Sequence, residues 1–90
     1  MLNPVRSTAF KKDVKRADKR GRDMAKLKAV ILQLIEGDPL EPHHRDHPLK
    51  GNWLGYRDLH VEPDWVLIYR VSGTELFLAR TGTHADLFGE

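Results

Sequence analysis

No cysteine occurs in the 90 residues, and aromatic residues make up only 8% of them. Without thiols there is no disulfide framework, no thiolate nucleophile and no Cys-ligated zinc or iron–sulfur site. Any catalysis must therefore use oxygen or imidazole chemistry, and a reducing compartment fits. Long apolar runs are also missing. The greasiest stretches, Ala29 to Ile35 and Trp65 to Tyr69, fall far short of the roughly 18 to 20 residues that span a bilayer. A soluble, cytoplasmic protein without membrane partners is expected. A chain this short buries only roughly 60 to 65% of its unfolded surface, so a single domain over residues 1–90 with one modest core is expected.

Charge is plentiful but segregated. Lys and Arg number 15 against 13 Asp and Glu, for a net charge of +2. Residues 1–36 hold ten of the cations and four of the anions, whereas residues 37–90 hold five and nine. The basic half reads as a docking surface for polyanions, with Lys11, Lys12, Lys15 and Arg16 on the exposed arc of its first helix. A plain solvated helix face is the competing reading of the same pattern.

Hydrophobic periodicity changes once, near residue 37. From Thr8 as N-cap, Phe10, Val14 and Ala17 recur with helical spacing. Asp23 caps a second helix carrying Met24, Leu27, Val30, Ile31, Leu34 and Ile35, and Gly37 and Pro39 end it. Residues 37–52, with Pro39, Pro42 and Pro48, read as an extended loop in which His43 and His44 are solvated. Beyond it, β-rich runs cover Tyr56 to Val61, Trp65 to Val71 and Leu76 to Thr81, and Pro4 marks residues 3–7 as an edge strand. The expectation is an α+β fold. An antiparallel sheet of about four strands carries a helical hairpin on one face and a short C-terminal tail.

Polar residues cluster at three places: Asp46-His47-Pro48, Asp58-Leu59-His60 with Asp64, and Arg80 to His84. The hairpin through Glu62-Pro63-Asp64 places His60 and Asp64 at one end of the sheet, within expected hydrogen-bond reach. Imidazoles at two points and a guanidinium match the needs of RNA cleavage: a base for the 2′-hydroxyl, an acid for the leaving oxygen, and a cation for the phosphorane. A fold-stabilising pair of His60 with Asp64 or Asp58 accounts for the same spacing. Chelation of a metal by His43, His44 and His47 is a further reading, although no helix fixes their geometry.

The run from Asp46 through Trp65, the Leu67-Ile68-Tyr69 triplet, the run from Arg80 through Gly89 and the stretch at residues 23–28 resemble the YafQ branch of the RelE/ParE toxin superfamily. The resemblance covers nearly the whole chain. It implies a small RelE-like fold and the toxin of a type II toxin–antitoxin system, a ribosome-dependent endoribonuclease that cuts translated mRNA in the A site without metal or cofactor. It also implies a co-encoded antitoxin of the DinJ/RelB kind, with an acidic or amphipathic segment that covers the basic surface or displaces the C-terminal segment. By position, it implies that His47, His60, Asp64 and His84 are catalytic, that Arg80 binds phosphate, and that Phe88 contacts the base. Lys50 joins them as a substrate contact, and Lys11, Lys12, Lys15 and Arg16 dock on ribosomal RNA. His47 is assigned as general base and His84 as general acid. The alternative from another class is a non-enzymatic ParE-like toxin that binds DNA gyrase.

Overall fold

In the computed structural model, which describes residues 1–89, the sheet is built from both ends of the chain. Strand β1 (Asn3–Arg6) precedes helices α1 (Thr8–Lys19) and α2 (Met24–Glu36). Two 3-10 turns, Pro42–His44 and Gly51–Trp53, flank the two-residue strand β2 (His47–Pro48). Strands β3 (Arg57–Glu62), β4 (Trp65–Ser72) and β5 (Glu75–Gly82) form a meander, and α3 (His84–Phe88) closes the described chain. The order across the sheet is β1-β5-β4-β3-β2. The α+β class is as expected, but the sheet has five strands and is mixed. β1 runs parallel to β5, its neighbour in the sheet, although both helices and three strands lie between them in the chain. None of the helices is long and apolar enough to cross a membrane.

Local signals set the helix ends. Ser7, not Thr8, caps α1: its Oγ accepts from the Phe10 N–H at 2.9 Å and its hydroxyl donates to the Ala79 carbonyl at 2.7 Å. The serine thereby caps the helix and ties its start to β5. Asp23 caps α2 as expected, accepting from the Ala25 N–H, and Gly37 ends that helix at φ 75°.

Both helices lay their apolar stripes on one face of the sheet. Phe10, Ala17, Leu27 and Val30 pack with Leu59, Val61, Trp65, Leu67, Tyr69, Leu76 and Leu78. The alternate positions Val66 and Ile68 face the other way and are also fully buried, as expected for a central strand. Two bulges re-aim the remaining side chains. In β3 the register passes from His60↔Val66 to Glu62↔Trp65, and in β5 it passes from Leu78↔Tyr69 to Arg80↔Ile68. The extra residue, Ala79, breaks the alternation that would otherwise send Arg80 into the core with Leu76 and Leu78. Asp58, Ile68 and Arg80 therefore share one row and one face.

β1 stops at the row of Leu78, leaving the far end of β5 without a strand on the side away from β4. Asp13 of α1 takes that place. Its carboxylate, 3% exposed, accepts from the Thr81 N–H at 3.1 Å, Arg80 Nε at 2.6 Å, Arg80 Nη2 at 3.1 Å and Arg16 Nη2 at 3.0 Å. The next ring inward is also polar: Trp65 Nε1 donates to Thr81 Oγ1, which donates to the Val66 carbonyl. Asp13→Ala should lower the unfolding free energy by about 3 kcal/mol or more, since it strands two guanidinium groups and a buried N–H. Urea denaturation measures this, and a loss below about 1 kcal/mol would refute the assigned role.

Candidate active site

The strand ends and α3 enclose a cavity of about 320 Å³ on the face away from α1 and α2, lined by His47, Leu49, Lys50, Trp53, Asp58, His60, His84 and Phe88. Strand β2 brings His47 to Asp58 by direct pairing across the sheet. Its Nδ1–H donates to the Arg45 carbonyl at 2.7 Å and lies 3.0 Å from Asp58 Oδ1. A carbonyl can only accept, so the proton is on Nδ1, and in the neutral ring Nε2 is left as the base.

His84 is held from both sides. Its backbone N–H and its ring Nδ1 donate to Asp64 Oδ1, at 3.0 and 2.7 Å. These two bonds keep the Asp64 carboxyl below the usual carboxylate range. The expected His60–Asp64 pair is thus replaced by a His84–Asp64 pair. The bulge beside His60 and the turn after it aim Asp64 at the start of α3 rather than back along β3. His60 instead stacks 5.2 Å from the His84 ring, which in turn lies 6.2 Å from Phe88. Its Nδ1 is buried and takes no hydrogen bond from the protein.

The short helix under His84 is positioned by charge. Thr83 and Asp86 form a capping box, Arg20 donates to Asp86 at 2.7 Å, and Arg16 lies 3.7 Å from it. Gly82 makes room for this junction: a Cβ there would sit 3.0 Å from Asp86 Oδ2 and 3.2 Å from Arg16 Nη2. Hydrogen bonds from Arg20 and the Thr83 backbone hold the Asp86 carboxyl well below the usual carboxylate range. Arg16 therefore works as an internal tie between Asp13 and Asp86, not as a free docking cation. Lys11, Lys12 and Lys15 remain exposed on the outer arc.

Two other expectations change. Arg80 does not line the cavity; it shares the row of Asp58 but spends Nε and Nη2 on Asp13, leaving its side chain 27% exposed. His44 is not solvated. It is 6% exposed, and its Nδ1–H donates to the His60 carbonyl at 2.7 Å, bracing β3 from the loop. His43, His44 and His47 point to different partners, and among the described residues no group of three or more His, Asp or Glu could hold a metal ion.

Asp58 is the site residue that sequence reasoning undervalued, treating it only as a partner for His60. The alternation Asp58-Leu59-His60 was the available signal, since it puts both polar groups on one face. At 3% exposure its carboxyl is pushed up by burial, against the pull of His47, His60 and His84.

Fold and cavity together gather three imidazoles, Lys50 and the buried Asp58 at the exposed end of a small α+β sheet. Comparison with known proteins gives the family: the chain belongs to the YafQ family, bacterial toxins of type II toxin–antitoxin systems, whose model matches residues 2–89. It is 55% identical over 84 residues to the mRNA interferase toxin YafQ of Escherichia coli K12, covering 92% of this chain and 91% of that one. The crystal structure of YafQ from E. coli BL21(DE3) superposes with a TM-score of 0.94 at 50% identity, covering 99% of this chain and all of that one. YafQ in the E. coli DinJ–YafQ complex gives 0.92 at 51% identity, with the same coverage.

Asp58 and Asp86 give stability opposite dependences on pH. A raised carboxyl pKa costs stability as pH rises through it, so neutralising Asp58 at pH 7 stabilises the fold. Asp58→Asn should raise the melting temperature by about 4 °C at pH 7, and a fall would contradict the cost of burying this charge. A depressed pKa contributes stability that is complete above the unfolded value of about 3.9 and is lost as pH falls toward the folded one. The advantage of the wild type over Asp86→Asn in thermal melts should therefore shrink below about pH 4. An advantage unchanged at pH 2.5 would exclude Asp86 as an ionised anchor.

Proposed function

We propose that this toxin is a ribosome-dependent endoribonuclease that cleaves translated mRNA and is neutralised by a DinJ-like antitoxin in the cytoplasm. The observation that carries the reading is the Asp64–His84 pair facing His60 and His47 across one cavity. A relative that is 55% identical over 84 residues is called an mRNA interferase, which agrees.

Two imidazoles, each anchored at Nδ1 and lining the cavity, suit the two proton transfers of transesterification. His47, held by the Arg45 carbonyl, is assigned to take the 2′-hydroxyl proton through Nε2. The resulting 2′-oxygen attacks phosphorus. The 5′-oxygen departs with a proton from His84 Nε2, on a ring that the Asp64 carboxylate holds in place through Nδ1. The products are a 2′,3′-cyclic phosphate and a free 5′-hydroxyl. His60 and Lys50 face the phosphorane oxygens, where fixed donors act in a partly dehydrated site. Arg80 has two of its five N–H groups on Asp13, and the others remain for a phosphate oxygen arriving over the row of Asp58. Phe88, beside His84, offers a face on which a base stacks.

Lys11, Lys12 and Lys15 supply the contact with ribosomal RNA, an interaction that weakens steeply with salt. The ribosome then supplies the substrate grip that a cavity this shallow does not.

His84→Ala should lower cleavage of ribosome-bound mRNA by roughly 10²- to 10⁴-fold, and Asp64→Asn by less, since it loosens the ring without removing it. Primer extension on a translated message reads both. Wild-type protein that leaves the message intact while blocking gyrase supercoiling would replace the reading with that of a gyrase-binding toxin.

A further inference from the structure

Beside the cavity lies a second groove of about 320 Å³, lined by His43, Arg45, His60 and Pro63. His60 is common to both, so the two spaces adjoin through one imidazole. Among the described non-glycine residues, Arg45 alone has a positive φ, 48° with ψ 44°. Glycine or asparagine is the residue that this backbone favours. The position follows the 3-10 turn, and the Arg45 N–H donates to the Pro42 carbonyl at 3.1 Å while its carbonyl anchors His47. Both of those bonds are made by the main chain, so the fold gives no reason for a guanidinium there.

The side chain is also unspent. Arg45 is exposed and, among the described residues, no carboxylate lies within ion-pair distance of it. It borders an acidic depression with Asp38, Glu41 and Asp46, but Asp46 is taken by Arg57 and Tyr69, and Glu41 faces His43 at 3.4 Å. That carboxylate fixes the His43 ring beside the groove. Arginine in a backbone conformation that disfavours it, unpaired and next to two imidazoles, marks a place where an external anion is bound.

We infer that Arg45 and His43 form a second phosphate subsite, which holds a neighbouring backbone phosphate of the same RNA strand as it passes over His60 out of the cleavage cavity. The inference rests on the endoribonuclease reading for the identity of its ligand. A polynucleotide is favoured over a mononucleotide because the groove continues the cavity rather than enclosing a separate space. Arg45 is a substrate-positioning residue: through its side chain it touches the strand one phosphate away from the reacting atoms.

The test uses the full chain with His84→Ala, which keeps RNA intact, and a fluorescent ten-nucleotide single-stranded RNA. Arg45→Gly should weaken binding severalfold and reduce the slope of log affinity against log salt by about 0.7. The same substitution should raise the melting temperature, because it relieves the backbone, whereas Arg45→Lys should recover most of the affinity. Unchanged affinity and salt slope in Arg45→Gly would overturn the subsite. Equal losses in Arg45→Gly and Arg45→Lys would also do so, pointing to a disturbed His47 anchor instead. Binding is read without turnover, so a failure of wild-type cleavage strikes the endoribonuclease reading and leaves this result separately legible.

Discussion

The carboxylate of Asp13 is the interaction on which the site depends. It stands where the sheet runs out of strand, and it accepts four hydrogen bonds from three residues. A buried carboxylate is tolerated only when its lone pairs are filled and its charge is matched, and here both conditions are met by Arg80 and Arg16. From it a polar path runs outward. Arg16 reaches Asp86, Asp86 fixes α3 with Arg20, and α3 delivers His84 to Asp64. The His84 imidazole, late in the chain, is thus positioned by a helix from its N-terminal quarter.

That path changes the meaning of the segregated charge. Arg16 and Arg20 pair with Asp86, and Arg22 and Lys26 pair with Glu62. Part of the basic half therefore holds the acidic half in place. Exposed pairs of this sort add little individually, but several converge on the two acidic residues that frame the β3–β4 turn and α3. The cations left over on α1, Lys11, Lys12, Lys15 and Lys19, lie on a single exposed arc. A smaller polyanion-facing surface than the raw charge count suggests still concentrates lysines where they carry no internal duty.

Most of the architecture was legible because local rules and burial agree. Asp23, Gly37 and the apolar run at Trp65 to Tyr69 all behave as their residue types dictate. The parallel β1 was less legible, since its partner lies some seventy residues away and its own side chains are exposed. The cavity lining was legible in part, through His47, Lys50, His60, His84 and Phe88, but the pairing of its side chains was not. Which carboxylate serves which imidazole is decided by two bulges, and a period-two pattern carries no mark of an inserted residue. Asp64 looked like the partner of His60 four residues back, yet it serves His84 twenty residues on. His44, in a proline-rich loop, looked solvated because loops usually are. Its Nδ1 hydrogen bond to the His60 carbonyl made it part of the wall instead.

Apart from the buried Arg70 Nε, which takes part in no hydrogen bond, the local conflicts among the described residues gather in one place. Asp58 is a buried carboxyl with an oxygen that takes no hydrogen bond, His60 has a buried ring nitrogen without one, and Arg45 sits in a left-handed conformation. All three border the cavity or the groove that continues it. A core optimised only for stability would remove each of them, by an amide at 58, an aliphatic residue at 60 and a glycine at 45. Asp58 holds negative charge beside three imidazoles, and His60 keeps a polar wall between two spaces. Neither feature strengthens the fold. Both border the cavity to which the proposed chemistry is assigned, which ties the cost in stability to the same few side chains.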